Sequence, residues 1–175
     1  SDLLSDQSLL LVLRGGNAEP FAEGLRRFVF RSKVKLVAMP ARALGTSEAM
    51  EMYCVRQTDD GVVLGCGSHA WSIGTREDDD WRAKHIGLGW PWLPDQALDA
   101  LLPPAISLER LQAIAFDKGC YPGQEIAARL HYRGGHKRHM HCVVLSQYVP
   151  PGNVLRDELR DVALVLDCIH TDEGH

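Results

Sequence analysis

The sequence of 175 residues has no Cys-x-x-Cys pair, no apolar run near the roughly 20 residues of a membrane span, and no excess of basic residues. Each lack removes a class. Its five cysteines (Cys54, Cys66, Cys120, Cys142 and Cys168) are odd in number and widely spaced, which argues against a disulfide framework or a zinc ribbon. No basic, apolar, small-residue leader opens the chain. A net charge of -4 gives no general reason to expect nucleic acid or a membrane surface as partner. Reduced thiols and a cytoplasmic location are the expectation. With 45% hydrophobic and 24% charged residues the composition is that of an ordinary globular protein, long enough for one domain or two small ones.

Taken in order, Ser8–Leu13 is a short apolar run that predicts a strand. Asn17 can cap a helix from Ala18 to about Phe30, with Phe21, Leu25 and Phe28 at helical spacing. Val34–Met39 predicts a return strand, closing a β-α-β unit. Met50–Arg56 and Val62–Cys66 flank an Asp59-Asp60-Gly61 turn and predict a hairpin, with Ala70–Ile73 as a further strand. The expected fold class is α+β, with a ferredoxin-like β-α-β layer. Asp78-Asp79-Asp80 opens a helix through Trp81 to about Ile86; three acids there read as N-terminal charge more readily than as metal ligands. An irregular loop follows from Gly87 to Pro94. Asp95–Leu102 and Leu108–Ile114 show helical spacing on either side of Pro103-Pro104. Arg138–Leu145 and Val162–Ile169 predict strands, separated by a Pro150-Pro151-Gly152 turn. Cys54, Cys66, Cys142 and Cys168 lie in apolar, strand-like segments and read as core or sheet residues. His139 and His141 fall on one face of the first of these late strands. With His131, His136 and Cys142 they match no metal-site spacing, so solvated histidines are expected and no stably bound metal.

The most informative stretch is Lys118-Gly119-Cys120-Tyr121-Pro122-Gly123-Gln124-Glu125. Two glycines and a proline make a turn around a cysteine, and a helix is expected to run from Gly123 to Leu130, with Pro122 suited to its first turn. A cysteine near a helix N-terminus and a lysine has its thiolate favoured. The alternative is a tight turn with a small cysteine packed inward. Trp81, Trp90 and Trp92 can stack on a planar heterocycle or simply pack.

The octapeptide resembles the signature of the YgfZ-type folate-binding proteins, relatives of the glycine-cleavage T-protein. Arg129, Arg133-Gly134 and Lys137-Arg138 continue the pattern, while Trp81, Gly89-Trp90-Pro91, Pro103 and Leu108–Phe116 precede it in the family's order. A weaker likeness covers Arg27–Leu36. The resemblance implies a folate-binding α+β region over residues 1–137, corresponding to part of such a protein without its N-terminal portion. Part of a small C-terminal β-barrel is implied over 138–175. It implies tetrahydrofolate as cofactor and Cys120 as functional thiol, tuned by Lys118. Gly119, Gly123 and Gln124 would shape the turn, with Trp81, Trp90, Tyr121, Glu125 and Arg129 toward folate. The family usually carries a Glu at the position where Gly87 stands here.

Three functions compete at this point. An accessory factor for iron–sulfur cluster assembly or repair, meeting folate and iron–sulfur client or assembly proteins, is what the resemblance implies. A T-protein-like aminomethyltransferase is the enzyme alternative, and Gly87 counts against it. A binding module is the third, because Arg129, His131, Arg133, His136, Lys137, Arg138 and His139 form a local basic cluster. A solvated face is the commoner meaning of such a cluster, so no stable nucleic-acid or membrane partner is expected. Glu125 and Arg129 are spaced for an i,i+4 ion pair.

Overall fold

A computed structural model describes residues 8–30 and 33–170, which form a mixed α+β chain of two compact units divided between Lys84 and His85. The 137/138 division read from the sequence falls within the second unit.

In the first unit, helix α1 (Ala18–Arg26) begins as expected: the Asn17 side chain accepts a hydrogen bond from the Glu19 N–H at 3.0 Å. It stops short of Phe30, with a turn over Arg27 and Phe28. Strands β1 (Ala43–Ser47), β2 (Val55–Thr58), β3 (Gly61–Gly65) and β4 (Ala70–Gly74) make one antiparallel sheet in the order β1-β4-β3-β2. The β2–β3 hairpin closes with Thr58 opposite Gly61, leaving Asp59-Asp60 as a two-residue loop where the turn was expected. Gly61 and Gly65 are sterically obligatory. An added Cβ would lie 2.0 Å from the Ile73 carbonyl oxygen at the first and 1.9 Å from that of Glu51 at the second.

The ferredoxin-like β-α-β layer does not form among the described residues. Ser8 makes an isolated bridge, and 9–13 and 34–39 are not in a ladder. Val34 and Val37, 56% and 64% exposed, gain neither a sheet partner nor a core face. An apolar run specifies burial, not a partner, so periodicity alone could not separate strand from extended coil. Residues Arg31-Ser32 of the weaker family likeness lie outside the described residues.

What the sheet uses instead is β1, a small-residue strand without β-branched bulk at most positions. It is pinned from outside. Both carboxylate oxygens of Asp78 lie 2.9 Å from the Thr46 N–H, Thr46 Oγ1 donates to Oδ1 at 2.7 Å, and Arg76 Nε donates to Oδ2 at 3.1 Å. Burial pushes the Asp78 carboxyl up, but these bonds and one from the Asp80 N–H outweigh it and hold the group below its ordinary value. The first of the three expected capping acids thus joins β1 to the start of α2 (Asp80–Leu88). Against the sheet, Val62, Val63, Ala70 and Trp71 are buried, and Trp71 meets Trp81 edge-on with ring centroids 5.6 Å apart.

Helix α2 continues through Gly87 to Leu88, two residues further than expected. It ends in a Schellman arrangement: Trp90 N–H reaches the His85 carbonyl at 2.8 Å and Gly89 N–H that of Ile86 at 3.0 Å, with Gly89 at φ 64°. Arg110 donates to the Gly89 carbonyl at 2.6 Å, a cation on the carbonyl end of the helix.

The second unit holds less regular structure. Short 3-10 turns occupy Asp95–Ala97 and Pro103–Ile106, in place of the expected helix over 95–102. Residues 108–112 form turns, with Gln112 at φ 55°, so the second expected helix is also missing. Helix α3 (Gln124–Arg133) packs against the Pro103–Ile106 turn and buries Ala127. Strands β5 (Val154–Asp157) and β6 (Arg160–Leu164) form a hairpin, after a turn in which Gly152 takes φ 89°. Residues 138–145, expected as a strand, are not in a ladder, and His139 and His141 are exposed there. Cys66 and Cys168 are buried as expected, whereas Cys54 and Cys142 are exposed.

Candidate functional site

The signature turn follows from its residue types. Tyr121, Pro122, Gly123 and Gln124 form a type II turn: Gly123 sits at φ 84°, ψ -5°, and the Gln124 N–H closes onto the Tyr121 carbonyl at 3.1 Å. Proline supplies the fixed φ of the second position and glycine the left-handed third. Pro122 therefore belongs to the turn and not, as expected, to the first turn of the helix, which starts at Gln124. Gln124 returns its side chain, Oε1 accepting from the Tyr121 N–H at 3.3 Å. The Tyr121 hydroxyl donates to the Ala115 carbonyl at 3.2 Å, and the Lys118 ammonium lies over the Tyr121 ring, 4.8 Å from its centroid.

The turn is thus anchored through Tyr121, and Cys120, its neighbour, is exposed. Of the two alternatives for this cysteine, inward packing is excluded. Lys118 and Gly119 are exposed as well. Glu125 and Arg129 are exposed and make no ion pair with each other among the described residues, so the helix-surface pair expected from their spacing is not formed.

Behind α3 lies a groove of about 280 Å³ lined by Pro104, Glu109, Ile114, Phe116, Ala127, Leu130 and His131. His131 Nδ1 is 2.9 Å from Glu109 Oε1, and its ring stacks on Phe116 with centroids 4.2 Å apart and planes at 22°. An aromatic face can stack on a flat heterocycle while a carboxylate beside it accepts from N–H groups on its edge. His131 is exposed, as expected, but its pairing with Glu109 carried no signal in the sequence. Nothing short of the tertiary fold brings residues 22 apart onto one wall.

The tryptophans separate. Trp81 is 5% exposed and edge-on to Trp71, the packing role, and presents no free face. Trp90 is half-buried against the His85 ring, 4.7 Å between centroids. At Gly87 a Cβ would meet nothing within 4 Å, so space for the family's glutamate exists but no carboxylate stands there. Among the described residues no helix is long and apolar enough to cross a membrane.

A mixed α+β fold that presents one cysteine from an anchored Lys-Gly-Cys-Tyr-Pro-Gly-Gln-Glu turn is the class these observations define. No protein-family model matches the chain. Curated relatives do, and several carry the name tRNA-modifying protein YgfZ. The Aliivibrio fischeri protein of that name is 44% identical over 63 residues, 36% of this chain and 20% of the relative. That of Sodalis glossinidius is 35% identical over 104 residues, 56% of this chain and 32% of the relative. That of Colwellia psychrerythraea is 31% identical over 122 residues, 66% and 38% respectively. The chain spans well under two thirds of the length of these relatives. Over that span the chain is similar to YgfZ-type proteins.

Proposed function

We propose that this chain is part of a tetrahydrofolate-dependent accessory protein of iron–sulfur cluster assembly or repair, acting in the cytoplasm, with Cys120 as its working thiol. The observation that carries the reading is an exposed cysteine on a turn whose neighbour, Tyr121, is tied down by Gln124, Ala115 and Lys118. A thiol that must meet a partner needs access, and it needs a base that does not move. One thiol is too few for a cluster, which ordinarily takes four cysteine ligands, so the second party is an iron–sulfur client or assembly protein. The relatives are named as tRNA-modifying, and we take tRNA modification as the process that this activity serves. Strands β5 and β6 are read as part of the small C-terminal barrel.

For folate the fit of the residues is partial. Trp90, Tyr121, Glu125 and Arg129 are at least partly accessible and offer stacking, hydrogen-bonding and charged groups, and the Phe116–Glu109 wall adds an aromatic face and a carboxylate. Trp81 would join them only on leaving Trp71. Bound tetrahydrofolate would supply a one-carbon carrier or a reductant; the chain's own residues bind and orient it.

Quenching of the intrinsic tryptophan fluorescence by tetrahydrofolate tests this. Saturable quenching that Trp90→Phe diminishes is expected. A signal indifferent to folate would remove the cofactor from the account. Release of a one-carbon unit from an aminomethyl-lipoyl carrier to tetrahydrofolate would instead support the T-protein alternative.

A further inference from the structure

A second groove, of about 340 Å³, is lined in part by the residues that follow α3, within the same compact unit. Ala100, Leu101, Leu102 and Ala105 form one wall and Gly135, His136, Lys137 and Arg138 the other. Gly134 and Gly135, at φ 66° and 93°, turn the chain sharply off the helix.

Three features of this wall point the same way. Lys137 and Arg138 are exposed, and neither has an ion-pair partner among the described residues. No acidic side chain lines the groove. The Nε2 atom of His136 is buried and makes no hydrogen bond, although its ring sits edge-on to His139, 5.8 Å between centroids. A buried polar atom without a partner is costly, and a ligand atom that meets it recovers that cost. Two unpaired cations beside it call for an anion with several acceptor oxygens. The opposite wall is apolar and suits the flat part of the same molecule.

We propose that this groove binds a nucleotide, its phosphate held by Lys137, Arg138 and His136 and its base laid along Leu101, Leu102 and Ala105. The nucleotide is either free or a unit of single-stranded RNA. The site is independent of the folate reading, since it shares no lining residue with the groove behind α3. It also departs from the expectation drawn from net charge, because binding here depends on local charge and not on the sum.

Fluorescence anisotropy with a 5′-labelled single-stranded RNA 12-mer, titrated at several salt concentrations and competed with AMP, tests the proposal. Lys137→Ala/Arg138→Ala is expected to weaken binding by about tenfold or more at low salt and to lower the log–log salt slope by about 2. His136→Phe, which keeps the ring but not the nitrogens, should weaken it with the slope unchanged. Arg156→Ala/Arg160→Ala, which removes cations from the β5–β6 hairpin, should do neither, and circular dichroism establishes that each variant folds. Competition by AMP identifies a free nucleotide as the ligand; binding of RNA without such competition identifies the polymer. Failure of both RNA and AMP to bind at low salt would overturn the site, as would equal losses from the Arg156→Ala/Arg160→Ala control.

Discussion

Asp78→Ala should lower the stability of the first unit by about 3 kcal/mol, read as a lower urea midpoint with an unchanged slope. One carboxylate satisfies the Thr46 N–H, the Thr46 hydroxyl, the Asp80 N–H and Arg76. Thr46 is itself buried, at 8% exposure, so its N–H and hydroxyl would lose their acceptor where water reaches poorly. Removing the partner of a buried donor costs more than the net value of the bond. The strand at risk is β1, which among the described strands pairs only with β4. The pH dependence has a definite sign. Because the folded Asp78 carboxyl titrates below its ordinary value of about 3.9, its contribution is complete above that value and is lost as pH falls through the lower folded one. The wild type should therefore lose stability on acidification over a range in which Asp78→Asn does not show this loss. Asn keeps an acceptor oxygen toward Thr46 and does not titrate.

Under the proposed role, Cys120→Ser should reduce support of iron–sulfur enzymes to the background of cells lacking the gene, with little change in stability. Serine fills the same space, and at an exposed position it disturbs no packing. It cannot supply a thiolate, and its oxygen is a poor ligand for iron–sulfur chemistry. The same substitution at Cys142, also exposed, is the control and should leave that support intact. Purified variants with matched melting curves separate loss of chemistry from loss of fold.

The parts of this chain that were legible in its sequence are those whose cause is local. The Asp59-Asp60-Gly61 hairpin, the Asn17 cap, the acids opening α2 and the signature helix all rest on residues within a few positions of one another. The parts that were not legible rest on distant partners. Strand β1 is held by Asp78, 32 positions beyond Thr46. The His131–Glu109 pair joins a helix to a turn, and Arg110 closes the end of α2 from 21 residues away. The reverse error has the same origin: 9–13, 34–39 and 138–145 have strand-like composition, but no paired strand stands beside them among the described residues. Composition made Trp81 and Trp90 look alike, and only packing distinguishes a core indole on Trp71 from a half-buried one on His85.

The central claim is an accessible working thiol in a folate-facing turn, and the five cysteines provide its internal controls. Iodoacetamide modification followed residue by residue by mass spectrometry, with and without tetrahydrofolate, measures it directly. Cys120 should react first and be protected by folate, Cys54 and Cys142 should follow without protection, and the buried Cys66 and Cys168 should come last. Burial also pushes the Cys66 thiol up, which slows it further. Cys120 reacting no faster than Cys54 and Cys142, at rates that tetrahydrofolate leaves unchanged, would contradict the account and reduce the cysteine to a residue of the turn.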